Sequence, residues 1–153
     1  MKINEQDLVA LINRPVTDPS VRQLLAFAGV AERKLKIKRG ESDAAIDCPE
    51  HGMVFNFEET DSDQDLPEGA LILSAIHAMA SGVEGHIGFK GVLPLGLTFD
   101  LRRPHVSKLL GKADWSSPVL PIDRWNRDGY QVVVEFFDGA DGTVASVVVQ
   151  RAR

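Results

Sequence analysis

The sequence predicts an α+β protein built from two tandem helix-plus-antiparallel-sheet repeats, with the helices packed on one face of the combined sheet. Three observations predict it. Pro19-Ser-Val21-Arg-Gln-Leu24-Leu25 and Pro104-His-Val106-Ser-Lys-Leu109-Leu110 both read P-x-V-x-x-L-L, 85 residues apart, and a glycine follows each. A phrase used twice points to one supersecondary unit used twice. Alternation over Tyr130–Phe137 and Lys34–Lys38 gives strands with one buried and one wet face, as an antiparallel sheet permits. Between the halves, Gly82, Gly85, Gly88 and Gly91 recur every third position, with Pro94 and Gly96 beyond. The chain therefore reads as one domain over 1–153, with repeats 15–81 and 97–153 joined by the Gly-rich segment 82–96.

The elements follow in order. Asn4 can cap a first helix whose apolar face is Leu8, Leu11 and Ile12, with Asp7 near its positive end. Arg14-Pro15 ends it, because the residue before proline is pushed away from helical geometry. Asp18 suits the N-cap of a second helix and Pro19 its first turn. Val21, Leu24, Leu25 and Ala28 keep helical spacing, and Gly29 can close the helix in left-handed geometry. Lys34–Lys38 reads as a basic-faced strand. Met53–Phe57 reads as a second, after a turn at His51-Gly52. Ala70–Ile76 fits a buried strand or a short helix, and analogy with the second half favours the strand. In the second half Pro104 opens a short helix ended by Gly111, and Tyr130–Phe137 is a strand. Asp138–Gly142 is a hairpin connection, and Thr143–Gln150 returns as the last strand. The predicted core is Leu24, Leu25, Phe55, Phe57, Val106, Leu109, Val132, Val134, Phe136 and Val147.

Composition narrows the function classes. With 17 basic and 22 acidic residues the net charge is -5, so a general nucleic-acid binder is disfavoured. Residues 1–81 hold 14 acidic and 8 basic side chains, while 82–153 hold 8 and 9, so the acidity is local. The longest mostly apolar run, Ala70–Ala80, is too short to cross a bilayer. Neither a nucleic-acid nor a membrane partner is expected. One cysteine, Cys48, allows no internal disulfide and no Cys-rich zinc site. Met1–Asp7 lacks the basic and apolar regions of a secretory signal, so a cytoplasmic location is expected.

Few residues carry catalytic chemistry. Cys48-Pro-Glu-His51 places a thiol near an imidazole, but a nucleophilic cysteine also needs a group to orient its base, and none is evident. His77, His86 and His105 are scattered, without metal-ligand spacing. Asp61-Ser-Asp63-Gln-Asp65 hints at calcium ligands, but Leu66 stands where an EF-hand needs glycine and Ile72 where it needs glutamate. Neither a cofactor nor a metal is expected.

Glu58, Glu59, Asp61, Asp63, Asp65 and Glu68 put six carboxylates into eleven residues with no base among them. They form either a solvated loop or a docking surface for a basic protein. Arg33, Lys34, Lys36, Lys38 and Arg39 form the opposite pole, which reads as edge protection or as an acidic-ligand site. Trp125, within Asp123-Arg-Trp-Asn-Arg127, reads as a polar-loop anchor for a partner or as packing across the sheet's end.

From Gly91-Val-Leu93-Pro94-Leu-Gly96-Leu97-Thr-Phe99 onward, with Val106, Leu109-Leu110-Gly111, Trp125, Phe136 and Asp141-Gly142, the chain resembles immunity-type proteins of bacterial polymorphic-toxin loci. The resemblance covers about 60 residues, and the unit also looks like the modules of beta-lactamase inhibitor proteins and of small outer-membrane assembly lipoproteins. It implies a cytosolic inhibitor of a toxin domain acting by occlusion and without chemistry of its own, and the acidic run makes the expected partner a basic protein. An enzyme using Cys48 or a histidine, and an envelope assembly module, are the alternatives. The oligomeric state is left open.

Overall fold

The chain's computed structural model describes residues 7–30, 35–60, 69–138 and 142–152. Asp7 caps the short helix α1 (Leu8–Leu11), its carboxylate accepting from the Val9 amide at 3.0 Å. The expected cap, Asn4, lies outside the described residues. Helix α2 (Pro19–Phe27) begins as the sequence predicts. Asp18 accepts from the Ser20 amide at 2.8 Å, and Pro19 occupies the first turn, where no amide donor is needed. Gly29 follows at φ +74°, a conformation without penalty only for glycine.

Seven strands form one sheet: β1 (Asp43–Cys48), β2 (Met53–Glu59), β3 (Leu71–Met79), β4 (Trp115–Ser116), β5 (Ile122–Arg127), β6 (Tyr130–Phe136) and β7 (Val144–Arg151). Their spatial order is β1-β2-β3-β7-β6-β5-β4, with every pairing antiparallel. A third helix, α3 (Arg103–Leu110), precedes β4. The protein is thus α+β, with a wholly antiparallel sheet. Where β7 stops short beside β3, residues 13–16 take over the edge: Asn13 and Val16 donate to Leu73 and Leu71 carbonyls at 2.9 and 2.8 Å.

Cross-strand register builds one apolar face. Phe55 lies opposite Ile76, Ile76 opposite Val149, Val149 opposite Val132, and Val132 opposite Trp125. These residues join Val21, Leu24 and Leu25 of α2 and Val106 of α3 in one buried cluster. The 82–96 segment turns through short 3₁₀ turns at Val83–Gly85 and Pro94–Gly96. It folds back on the β1–β2 turn, where Ile87 donates to the Pro49 carbonyl at 3.1 Å. At Gly52 the fit is tight. Its φ is +66°, and a Cβ there would fall 2.2 Å from the Phe89 amide nitrogen.

Three expectations need correction. Residues 35–38 form no strand; a turn closed by the Glu41 amide on the Lys38 carbonyl (3.0 Å) precedes the true edge strand, β1. Arg33 and Lys34 lie outside the described residues. Leu109 is 50% exposed and not core, because α3 buries only Val106 fully and the next-position neighbours Ser107, Lys108 and Leu109 turn outward. Residues 123–127 are strand β5, joined to β6 by a tight turn at Asp128-Gly129, with Gly129 at φ +82°.

Candidate protein-docking site

Alternate residues of β5 hold α3 at both ends. Asp123 lies opposite Val134 on the inner face and meets Arg103 in the first turn of α3. Arg103 Nε donates to Oδ2 at 2.9 Å and Nη2 to Oδ1 at 2.6 Å, a bidentate pair. Ser116 of β4 donates its hydroxyl to the same Oδ1 at 2.7 Å, and the guanidinium lies over Phe136. Burial, at 3% exposure, would raise the Asp123 pKa. Hydrogen bonds from Arg103 and Ser116, with the guanidinium's charge, outweigh burial and hold the carboxyl below its ordinary range.

Two residues on, Trp125 Nε1–H donates to the Gly111 carbonyl at 3.0 Å. Two further on, Arg127 Nη2 donates to the Leu110 carbonyl at 3.2 Å. These groups satisfy carbonyls at the end of α3 that have no helical partner. Trp125 is wholly buried, which corrects the anchor expectation: an indole with no exposed surface has none to offer a partner.

The exposed indole is Trp115, on the edge strand β4, with the Arg124 guanidinium 5.4 Å from its ring centre. The loop from β4 to β5, Ser117-Pro-Val-Leu-Pro121, continues this apolar surface. Val119 is 85% exposed, Leu120 54% and Trp115 44%. The loop is nonetheless fixed. Ser117 Oγ accepts from the Val119 and Leu120 amides at 3.3 and 3.0 Å, and Ser117 N donates to the Ile122 carbonyl at 2.9 Å. Two prolines restrict it further. Between the loop and Arg103 lies a cleft of about 240 Å³, lined by Arg103, Ser117, Pro118, Val119, Leu120 and Pro121.

The acidic run is placed only in part. Glu58 is compensated by Arg151, Nη1 to Oε2 at 3.4 Å, a base that lies 93 positions away in sequence. Glu59 is exposed at the end of β2. Asp61, Asp63, Asp65 and Glu68 lie outside the described residues. Strand β2 ends at Glu59 and β3 begins at Leu71 at the sheet end opposite the Ser117–Pro121 loop, four strand positions away across the sheet. With about 4.8 Å between strands and about 3.3 Å per residue along them, the two corners stand about 30 Å apart.

Cys48 and the histidines are not drawn together with this site. Cys48 is 3% exposed, and burial, with Glu50 and Asp47 nearby, pushes its thiol pKa up, so the thiol keeps its proton and is a poor nucleophile. His51 packs against Phe27, with ring centres 4.2 Å apart. His86 is buried and its Nε2 lies 2.9 Å from Asp47 Oδ1. Burial pushes the His77 pKa down against the weaker pull of Glu84. Among the described residues no three histidine, cysteine, aspartate or glutamate side chains gather as a metal site, and no helix is long and apolar enough to cross a membrane.

No family model matches the chain, and no curated protein does. Among solved structures, it is similar to the crystal structure of a DUF4309 family protein (YjgB) from Bacillus subtilis, at 17% identity over 86% of this chain and 77% of that one, with a TM-score of 0.43.

Proposed function

We propose that this chain is a protein-binding inhibitor, an immunity-type partner of a bacterial toxin acting by occlusion in the cytoplasm. The observation that carries the reading is the fixed apolar loop at the β4–β5 corner. Solvent-facing Val119 and Leu120 stand beside Trp115 on a backbone already held by Ser117 and two prolines. A loop backbone fixed before binding loses little entropy when a partner covers it. Glu59 at the far corner, followed in sequence by Asp61, Asp63, Asp65 and Glu68, supplies attraction for a basic partner. A standard interface buries about 800 Å² per partner, a disc about 30 Å across, so one footprint can reach both corners.

We also read the chain as two copies of one unit. Helix α2 precedes the β1-β2-β3 meander and α3 precedes β5-β6-β7, with β3 and β7 meeting at the centre. The short β4 is an addition to the second copy. In this reading α2 and α3 pack as equivalent helices on one sheet face.

The test reads the genes that adjoin this chain's own for a toxin-like product and co-produces the two, scored by cell growth. The wild-type chain restores growth, and a Trp115→Ala, Val119→Ser, Leu120→Ser variant restores it far less. All three positions are exposed, so the fold survives the change. Failure of the wild type to protect, or equal protection by the variant, overturns the proposal.

A further inference from the structure

The guanidinium of Arg103 is only half committed. It carries five N–H donors in two fork-shaped edges. Asp123 takes the side edge, through Nε and one hydrogen of Nη2. The end edge, Nη1 with the other Nη2 hydrogen, has no hydrogen-bond partner among the described residues, and the side chain is 25% exposed where it lines the cleft. The other walls are Pro118, Val119, Leu120, Pro121 and Ser117. A cationic fork with apolar walls suits a planar oxyanion that carries an apolar group. Size narrows this further. At about 240 Å³ the cleft lies below the ~300–1,000 Å³ of pockets that hold drug-sized ligands, so it has room for a single residue.

We propose that the cleft takes the C-terminal residue of a partner chain, with the terminal carboxylate on the free edge of Arg103 and an apolar side chain against Pro118–Pro121. The second edge offers two parallel N–H donors, which a carboxylate can accept with both oxygens and a backbone amide with only one. Val119 and Leu120 line the cleft yet stay 85% and 54% exposed, so they carry apolar surface beyond its mouth, which suits a chain continuing outward better than a small free acid. This deepens the inhibitor reading: that reading supplies the occupant as a protein segment, while the chemistry of the cleft stands on its own residues.

The experiment titrates the ¹⁵N-labelled full chain with acetyl-Gly-Val-Leu bearing a free C-terminus, with its C-terminal amide, and with isovalerate, following Arg103 Nε–H and the Ser117 and Leu120 amides by NMR. The free-acid peptide should shift these signals and bind at least about tenfold more tightly than the amide, the ratio expected for one charge-assisted contact. Val119→Asp, at a position too exposed to disturb folding, should remove the difference by setting a carboxylate at the cleft. No shift with the acid, equal binding of acid and amide, or an unaltered preference in Val119→Asp overturns the proposal. Isovalerate binding as tightly as the peptide overturns the chain-terminus assignment. Peptide binding without toxin protection would sink the inhibitor reading alone, and protection without peptide binding would sink the cleft alone.

Discussion

The Arg103–Asp123 pair predicts an asymmetry between its two truncations. Arg103→Ala removes the guanidinium from a carboxylate that is 4% exposed while the pair is intact, and leaves only the Ser116 side chain to donate to it. Removing one partner of a buried pair costs about 3–5 kcal/mol. Asp123→Ala leaves a guanidinium that is 25% exposed and can turn to water, so its loss is nearer the ~1.5–3 kcal/mol of hydrogen bonds to a charged group. Removing both should be milder than Arg103→Ala alone, since no buried charge is then stranded. Urea unfolding followed by tryptophan fluorescence measures all three. The pH dependence separates this account from simple loss of packing. In the wild type the Asp123 pKa is lowered, so its contribution is present above the unfolded value of about 3.9 and is lost as pH falls through the folded value beneath it. In Arg103→Ala burial raises the same pKa, so the penalty is greatest at neutral pH and is relieved as pH falls through that raised value. The gap between variant and wild type should therefore narrow as pH falls below neutral through that raised value. Arg103→Ala costing no more than Asp123→Ala, or a gap that ignores pH, would refute the reasoning.

Four further outcomes are expected. Gly52→Ala should lower Tm by roughly 6–12 °C, the equivalent of about 3 kcal/mol for a chain of this size, because it combines positive φ with a backbone clash at Phe89; a shift under about 2 °C in calorimetry would contradict the close approach. Leu24→Ala should cost about 2–5 kcal/mol and Leu109→Ala at most about 1 kcal/mol, despite their matching places in the repeated phrase, as urea midpoints will show. Cys48 should react with a disulfide reagent only as the chain opens, so labelling at millisecond rates in native buffer would contradict its burial and raised pKa. Changing Asp61, Asp63 and Asp65 together to Asn should slow association with a basic partner at low salt and leave Tm unchanged; stopped-flow rates equal to wild type would reduce the run to a solvated connector.

The legible parts of the fold were those where local chemistry and apolar period agree. Asp18-Pro19 with Val21, Leu24 and Leu25 marks α2, and the β-branched runs of β6 and β7 leave little choice. The candidate site was harder to read because β5 breaks the usual alternation. Its inward residues are Asp123, Trp125 and Arg127, polar or aromatic because they tie down the ends of α3, and its outward ones are Arg124 and Asn126. Polar residues on both faces look like a loop. The available signal was Asp128-Gly129, a strong hairpin turn, directly before the β6 run. Strand β1 hid in a similar way, with Ala44, Ile46 and Cys48 alternating against Asp43, Ala45 and Asp47. Leu109 misled because a shared phrase fixes spacing along a helix but not how far each helix is rotated toward the sheet. The Glu58–Arg151 pair joins residues too far apart in sequence for any local pattern to show.

The β4–β5 corner combines two features that stability alone does not explain. A loop that merely linked β4 to β5 would keep its turn with polar residues at 119 and 120, since neither side chain contributes to the core cluster. Valine and leucine there leave apolar surface in water while Ser117, Pro118 and Pro121 hold the backbone still. The same economy is missing at Arg103, which fixes α3 through one edge and keeps a quarter of its side chain exposed where it lines the cleft. A structural pair could have sealed that guanidinium under the loop. An open fork and a fixed apolar rim form a surface whose unmet contacts are complementary to one kind of object: a protein segment with an apolar residue and an acidic terminus.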